Sequence, residues 1–307
     1  MLVLACFFMH LGGSRMKSIG IVTDSHGGIS QAEADKYGVK ILPMPLLIGE
    51  ESFLENVSIS RGQFFERLNN NEKPATSQPS PEQVMTIWRE ALSEYEQILH
   101  MPISSSLSGS CNTARMLAQQ DEFEGKVFVV DNGRISTPMH RSILDALELI
   151  EKGYCAEEIK NILEASKGDM SIYIAVETLE HLKNGGRISA TSAAIGTALN
   201  IKPILQLNVG LLESYRKVRG MKKAKREMLE SMKQDFETKF KKAYKNGDIY
   251  LLAASSADEE TTQKWVDEIK AYFPGMDVLC DNLSLGISCH TGEGALGIGC
   301  SCKPYRN

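Results

Sequence analysis

The sequence predicts an α/β protein in which a Rossmann-like parallel sheet is followed by a second α/β domain. Two observations favour this fold class. Short apolar runs alternate with stretches of helical spacing along the first half of the 307 residues, an order typical of a parallel sheet. Polar, glycine-containing loops follow several of these runs, as they do at the carboxyl ends of parallel strands. The composition, 42% hydrophobic and 24% charged, is that of an ordinary globular protein.

In the first half, apolar runs predict four strands, and helical spacing predicts four helices between and after them. The strands are expected at Ile19–Thr23, Val39–Ile48, Ile98–Ile103 and Lys126–Val130, and the helices at Gln31–Tyr37, Pro81–Tyr95, Ser110–Gln120 and Thr137–Lys152. Pro43 and Pro45 exclude a central place in the sheet for their part of the second strand, because proline has no N–H to donate. Ser80 before Pro81 is a typical helix N-cap. We predict a first domain over residues 16–170.

The second half repeats the mixture of strands and helices, and we predict a second domain over residues 171–307. Strands are expected at Ser171–Val176, Pro203–Leu207, Leu211–Val218, Ile249–Ala254, Asp277–Cys280 and Gly286–Cys289, and helices at Thr178–Lys183, Ala190–Leu199, Met221–Lys245 and Asp258–Tyr272. The charges of Lys222, Lys223, Lys225 and Arg226 fit the solvated face of an amphipathic helix.

Residues 1–15 do not fit either domain. Val3-Leu4-Ala5-Cys6 resembles a lipoprotein cleavage box, but no Lys or Arg precedes it and the apolar segment is too short for a secretory signal. Met16 instead leads directly into the first predicted strand. We therefore expect residues 1–15 to be an extension or a misassigned start.

Charge and cysteine usage exclude several classes of function. A formal net charge of -5 argues against nonspecific nucleic-acid binding, which needs a broad basic surface. The seven cysteines are odd in number and contain no CxxC pair, which fits a reducing cytoplasm. Cys280, Cys289, His290, Cys300 and Cys302 crowd the end of the chain, but their spacing matches no usual zinc pattern. We predict no metal and no cofactor.

Three widely separated polar clusters carry the functional prediction. They are Thr76-Ser77-Gln78-Pro79-Ser80, Ser104-Ser105-Ser106-Leu107-Ser108-Gly109 and His290-Thr291-Gly292-Glu293-Gly294. Each follows or interrupts an apolar stretch, so each is expected to be a loop at the end of a buried element. Hydroxyls, loop amides and an imidazole all donate hydrogen bonds, and glycine lets the backbone approach closely. Together they predict a clamp for a small anion.

With these clusters, four further motifs resemble the DegV family of bacterial fatty-acid-binding proteins. The motifs are Val22-Thr23-Asp24-Ser25, the run from Glu180 to Ser189 with Gly185-Gly186-Arg187, Ile201-Lys202-Pro203-Ile204, and Lys217-Val218-Arg219. Their order and spacing are specific, although each motif alone is weak. The resemblance covers the chain from about Met16 to its C-terminus. It implies a two-domain DegV-like fold with the ligand held between the domains.

The resemblance also implies a function and a set of site residues. Members of the family serve as the lipid-carrying subunit of fatty acid kinase, so the expected partners are a long-chain fatty acid and a separate ATP-dependent kinase subunit. The carrier is expected to be cytoplasmic, with only transient membrane contact, and to perform no catalysis itself. Thr76 and Ser108 would donate directly to the carboxylate, Ser77 and Ser104 would lie beside them, and Arg219 and His290 would support the clamp. Beside these, Arg187 is expected either to touch the ligand or to pair with a carboxylate and tie the domains together. Asp24 is expected to orient a loop, because one carboxylate repels another.

The acyl tail is expected to lie in a dry tunnel. The segment Ala190–Ala198 is rich in small residues and offers room for it, although packing between helices explains these residues equally well. Leu107, Ile188, Ile195 and Ile204 are candidate wall residues. The chain departs from the family pattern after Asp131, at Gly109-Ser110-Cys111 and at Gly220, which leaves the shape of the tunnel and the acyl preference open.

Other interpretations of the same residues remain open at this point. In one of them the serines cap helices and bind no ligand, because a cap and an anion site use the same helix terminus. A serine hydrolase would use a nucleophile from Ser104 to Ser108 with His290 as its base, although the sequence has no GxSxG elbow. A plain sensor of small anions would have a short polar pocket without a tunnel.

Overall fold

A computed structural model describes residues 17–188, 200–208 and 211–304. The strands are β1 (Lys17–Asp24), β2 (Val39–Leu42), β3 (Pro45–Ile48), β4 (Glu51–Leu54), β5 (Pro74–Thr76), β6 (Tyr95–Met101), β7 (Val127–Val129), β8 (Met170–Ala175), β9 (Ile201–Asn208), β10 (Leu211–Arg219), β11 (Ile249–Ser255), β12 (Val278–Asn282) and β13 (Leu296–Cys302). The helices are α1 (Gln31–Tyr37), α2 (Arg61–Asn69), α3 (Pro81–Leu92), α4 (Ser110–Leu117), α5 (Ser136–Glu151), α6 (Ala156–Ala165), α7 (Glu180–Asn184), α8 (Met221–Glu237), α9 (Lys241–Asn246), α10 (Glu259–Tyr272) and α11 (Leu285–Thr291).

The predicted parallel sheet is present in the first half of the chain. Its strand order is β2-β1-β6-β7, and all three pairings are parallel. Helix α3 packs Trp88 and its neighbours on one face, while α5 and α6 cover the other. With both faces buried, the strands read as continuous apolar runs, which is why they were detectable from sequence. The expected extension at residues 1–15 and the expected helix Ala190–Leu199 lie outside the described residues.

The predicted strand Val39–Ile48 was wrong as a single element. The chain leaves the parallel sheet after Leu42, and β3 begins at Pro45 in a separate antiparallel sheet of order β4-β3-β5. The two prolines flanking Met44 explain the break, because neither can donate a ladder hydrogen bond. This small sheet positions the first polar cluster, since Thr76 pairs with Leu46 at the end of β5.

The second half forms a six-stranded mixed sheet of order β10-β9-β8-β13-β11-β12. Only β11 and β12 run parallel, and the remaining pairs are antiparallel. One face packs against α8 and α10 around Trp265 and Phe236. The predicted strand Gly286–Cys289 was wrong: these residues lie in α11, whose N-cap Ser284 accepts a hydrogen bond from the amide of Ile287. The last strand is β13 instead.

Helix α5 joins the two large sheets. The Thr137 hydroxyl donates to the Ala253 carbonyl at 2.8 Å, and Nδ1 of His140 lies 3.1 Å from the Asp281 carboxylate. Just before the helix, the fully buried Arg134 guanidinium donates to the Ser301 hydroxyl at 2.7 Å. Buried polar groups are expensive unless they are paired, so these contacts fix one sheet against the other.

The described part of the chain contains neither a membrane-spanning helix nor a metal-binding cluster. No helix there is both long and apolar enough to cross a membrane. No group of three or more His, Cys, Asp or Glu residues there is arranged to hold a metal ion.

Candidate functional site

The second sheet presents an apolar face to the first half of the protein. Side chains alternate between the two faces of a strand, and the register pairs Ile174 with Gly297 and Ile172 with Gly299. On β13, Leu296, Ile298 and Cys300 belong to the core formed with α8 and α10. The two isoleucines and the two glycines therefore occupy the opposite face. Because glycine has no side chain, the centre of this face is hollow.

A cavity of about 230 Å³ lies above this hollow, between the two large sheets. We call it the central cavity. Its volume is more than ten times the roughly 15 Å³ that one buried water needs, so it can hold a ligand of many atoms. The second sheet contributes Ile172, Ile174, Leu207, Leu252, Gly297 and Gly299 to its wall.

The polar residues of the wall are linked to one another by contacts. Oγ1 of Thr76 lies 3.0 Å from Nε2 of His290, which stands in the last turn of α11. Arg187 also lines the cavity and donates through Nη1 to the Gly185 carbonyl at 2.6 Å. Gly185 packs directly on His290, since a Cβ there would lie 2.0 Å from Nδ1. Thr76, Arg187 and His290 thus form one polar end.

The serine loop brings Ser108 to the same cavity. Its backbone is closed by the Ser104 carbonyl, which accepts from the amides of Leu107 and Ser108 at 3.0 and 3.2 Å. The Ser108 hydroxyl accepts from the Ser110 amide at 3.3 Å, and Ser108 also lines the cavity. A hydroxyl that accepts this bond keeps its proton for a ligand.

Ser104, by contrast, is not among the lining residues. Its side chain is buried and accepts from the Ser106 amide at 3.3 Å, so it shapes the loop. Ser77 lines the cavity, and its amide donates to the Pro45 carbonyl at 3.3 Å. Asp24 is buried beneath the loops and accepts from the amides of His26 and Ile103 at 3.0 and 2.8 Å.

Three further expected residues, Arg219, Ile204 and Ile188, are not among those that line the cavity. Arg219 is exposed at the end of β10, where it pairs with Ile201, and it is not among the lining residues. Ile204 is fully buried in the core on the far face of the second sheet. Leu107 lines the cavity, Ile188 packs in the adjacent cluster with Leu182 and Leu212, and Ile195 lies outside the described residues.

His26 lines the central cavity but was missed from sequence. Burial lowers its pKa, but the hydrogen bond and charge of Asp24, together with the charge of Glu55, shift it the other way, and the pKa is raised overall. Nδ1 lies 3.4 Å from the Asp24 carboxylate. Its position two residues after Asp24, at the carboxyl end of β1, is the signal that would have identified it.

His290 behaves in the opposite way. Burial lowers its pKa to about 4, and the nearby charge of Arg187 acts in the same direction. The imidazole is therefore neutral at pH 7, and Arg187 is the fixed cation of the polar end.

The depressed pKa of His290 predicts an acid-dependent loss of stability. An unfolded histidine takes up its proton near pH 6.5, whereas folded His290 does so only near pH 4. Between these values the unfolded state binds more protons than the folded state. Lowering the pH from 7 to 5 therefore decreases the free energy of unfolding, by about 2 kcal/mol for this residue. Urea titrations at pH 7 and pH 5 should show that His290→Gln removes this part of the loss. An unchanged pH dependence in the variant would contradict the assignment.

Comparisons with known proteins show which family the chain resembles. The family model of the uncharacterised DegV proteins matches residues 18–303. A DegV domain-containing protein from Halalkalibacterium halodurans is 32% identical over 286 residues, which cover 92% of this chain and 98% of the relative.

Solved structures give the same result. A DegV family protein from Thermus thermophilus, described for its fatty acid binding, is 33% identical and superposes with a TM-score of 0.82, covering 93% of this chain and 99% of its own. DegV from Bacillus subtilis, described as a fatty acid binding protein, is 28% identical with a TM-score of 0.78, covering 94% and 100%. The family match over most of the length, and a fold shared from end to end, show that the chain belongs to the DegV family.

Proposed function

We propose that this protein binds a long-chain fatty acid in the central cavity, with the carboxylate at the polar end and the acyl chain against the second sheet. The observation that carries the proposal is the composition of that single cavity. Its lining combines the hydroxyls of Thr76 and Ser108 and the guanidinium of Arg187 with isoleucine, leucine and glycine of the second sheet. The fatty acid binding described for the Thermus thermophilus and Bacillus subtilis relatives supports it.

Head and tail make opposite physical demands on such a site. Each buried methylene contributes about 0.8 kcal/mol, whereas a buried carboxylate without partners costs several kcal/mol. The charge of Arg187 and the hydroxyl of Ser108 meet the second demand, because hydrogen bonds to charged groups are about twice as strong as neutral ones. Ser77 and His26 lie in the same wall and complete the donor set.

His290 acts by orienting Thr76. Its Nδ1 is buried without a hydrogen-bond partner, so we assign the proton of the neutral imidazole to Nε2, which faces the Thr76 hydroxyl. In that tautomer Nε2 donates to the threonine oxygen, and the hydroxyl proton is free to be donated to a carboxylate. A protonated His290 is not required.

We further propose that the protein is a cytoplasmic carrier that contacts membranes transiently. It presents the carboxylate to a separate ATP-dependent kinase subunit for phosphorylation and does no covalent chemistry itself. The side chain of Arg219 is exposed and does not line the cavity, so it is available to a partner, not to the ligand.

The direct test is to identify what the protein carries. After expression in bacteria and purification without added lipid, native mass spectrometry should show about one fatty acid per chain, released by denaturation and identified in the extract. A chain that carries no lipid and also fails to bind added stearic acid would end the proposal.

Removing either hydroxyl at the polar end should weaken binding. Thr76→Val keeps the shape of the side chain but not its donor, and Ser108→Ala removes the second hydroxyl; each should cost roughly 1 to 3 kcal/mol of binding free energy. Ser80→Ala is the matched control, because Ser80 only caps α3. Competition with a fluorescent fatty acid measures all three. Unchanged affinity in both clamp variants would refute the head-group assignment.

Filling the hollow in the second sheet should block the tail. A Cβ at Gly297 makes only ordinary contacts, the nearest at 3.4 Å from the Ala254 carbonyl, so Gly297→Ala should fold and bind nearly as the parent does. Gly297→Leu should fold but lose long-chain binding at least tenfold, with a smaller loss for short acids. Equal affinities for long and short acids in the leucine variant would show that the tail lies elsewhere.

The carrier role makes a separate prediction for Arg219. Arg219→Ala should lower the rate of acyl phosphate formation by a fatty acid kinase subunit and leave the affinity for the fatty acid within about twofold. Arg216→Ala is the control, since Arg216 is occupied by an ion pair with Glu227 on α8. Full transfer by the Arg219 variant would remove that residue from the partner surface.

A further inference from the structure

The first turn of α5 also reaches the central cavity. Ser136, Thr137 and Pro138 all line it. The helix is 16 residues long and has no side-chain cap, because its N-cap position is Ile135. The amides at a helix N-terminus lack intrahelical partners and favour an oxygen acceptor.

Within this turn the Thr137 hydroxyl and the Pro138 carbonyl have hydrogen-bond partners, whereas the Ser136 hydroxyl has none in the described part of the chain. Thr137 donates to the Ala253 carbonyl at 2.8 Å, and the Pro138 carbonyl accepts from Arg134 at 3.5 Å. The Ser136 hydroxyl has no hydrogen-bond partner, although the residue is only 7% exposed. A buried hydroxyl without a partner is unfavourable, and a plain hydrocarbon chain in the cavity would leave it in that state.

Among the described residues no group forms a hydrogen bond with the Ser136 hydroxyl. Ile103 and Ile135 on the first half and Leu252 on the second sheet line the same cavity. A ligand that carries an oxygen atom partway along its hydrocarbon chain would give the Ser136 hydroxyl a hydrogen-bond partner.

We propose that the N-terminus of α5 is a second polar subsite of the central cavity, which binds a hydroxyl group carried on the acyl chain. The ligand class is then a hydroxy fatty acid. The ligand hydroxyl accepts from a free helix amide and donates to Oγ of Ser136, or accepts from that hydroxyl in turn. This inference rests on the proposed function, because it refines which fatty acid the same cavity selects.

The experiment compares stearic acid with a set of its hydroxylated positional isomers. The unmodified protein should bind at least one isomer about tenfold more tightly than stearic acid, the effect of one buried hydrogen bond. Ser136→Gly removes the hydroxyl and suits the backbone, since φ is +55° there. It should abolish the preference and keep the affinity for stearic acid within about twofold. Ser136→Ala is a second variant with the same expectation, and thermal melting checks that both fold.

Ser110→Ala is the matched control. The Ser110 hydroxyl is likewise buried without a partner at a helix N-terminus, but the residue does not line the cavity, so the preference should survive its loss.

The outcomes separate the two proposals. Equal binding of stearic acid and every isomer would mean that a water satisfies Ser136, which overturns the subsite and leaves fatty acid binding intact. A preference that persists in both Ser136 variants also overturns it. If those variants lose stearic acid as strongly as the hydroxy acids, Ser136 belongs to the carboxylate end and the separate subsite is wrong. Failure to bind any fatty acid would defeat the proposed function itself.

Discussion

The hollow in the second sheet is the feature on which the rest of the site depends. Two closely packed α/β layers normally bury their facing side chains against each other at the density of an organic crystal. Here β13 offers glycine at 297 and 299 to the cavity, so no side chain of that strand fills the space there. Helix α5 links the layers through buried polar contacts with β11 and β12. Space is therefore built into the fold.

Rigid placement of the polar end follows from α11. Its first turn is fixed by the carboxylate of Glu55, which accepts from the Leu285 amide and from the Ser25 hydroxyl at 2.7 Å. Its last turn is fixed where His290 packs on Gly185. A helix held at both ends delivers the imidazole to Thr76 with little freedom to move, and preorganised donors lose less entropy when a ligand arrives.

The sequence predicted the parallel sheet well because its strands are buried on both faces and because Ser30 and Ser80 cap helices α1 and α3. It also brought Thr76, Ser108 and His290 to one cavity, because Thr76 ends β5 and the serine loop follows β6. His290 was expected in a loop but stands in the last turn of α11. The failures have physical causes. Gly286–Cys289 is short and apolar, and periodicity alone cannot separate a buried strand from a buried helix of that length. The sequence could not show that Arg187 lines the cavity and Arg219 does not, because burial depends on tertiary packing. Ile204 was placed on the wrong face for want of the strand register.

The two histidines in the cavity wall have opposite pKa shifts, which the sequence alone does not predict. Burial of Glu55 raises the pKa of its carboxyl group, and the same acid together with Asp24 favours a proton on His26. Within the same wall, Arg187 and burial keep His290 neutral. The His26 imidazole thus lies near buried acids, whereas the His290 imidazole lies near a cation. Only the neutral His290 can hold one fixed tautomer and orient a hydroxyl. If His290 had the surroundings of His26, Thr76 would face a positively charged imidazolium that repels the Arg187 guanidinium. The different surroundings of the two histidines are therefore what the site requires.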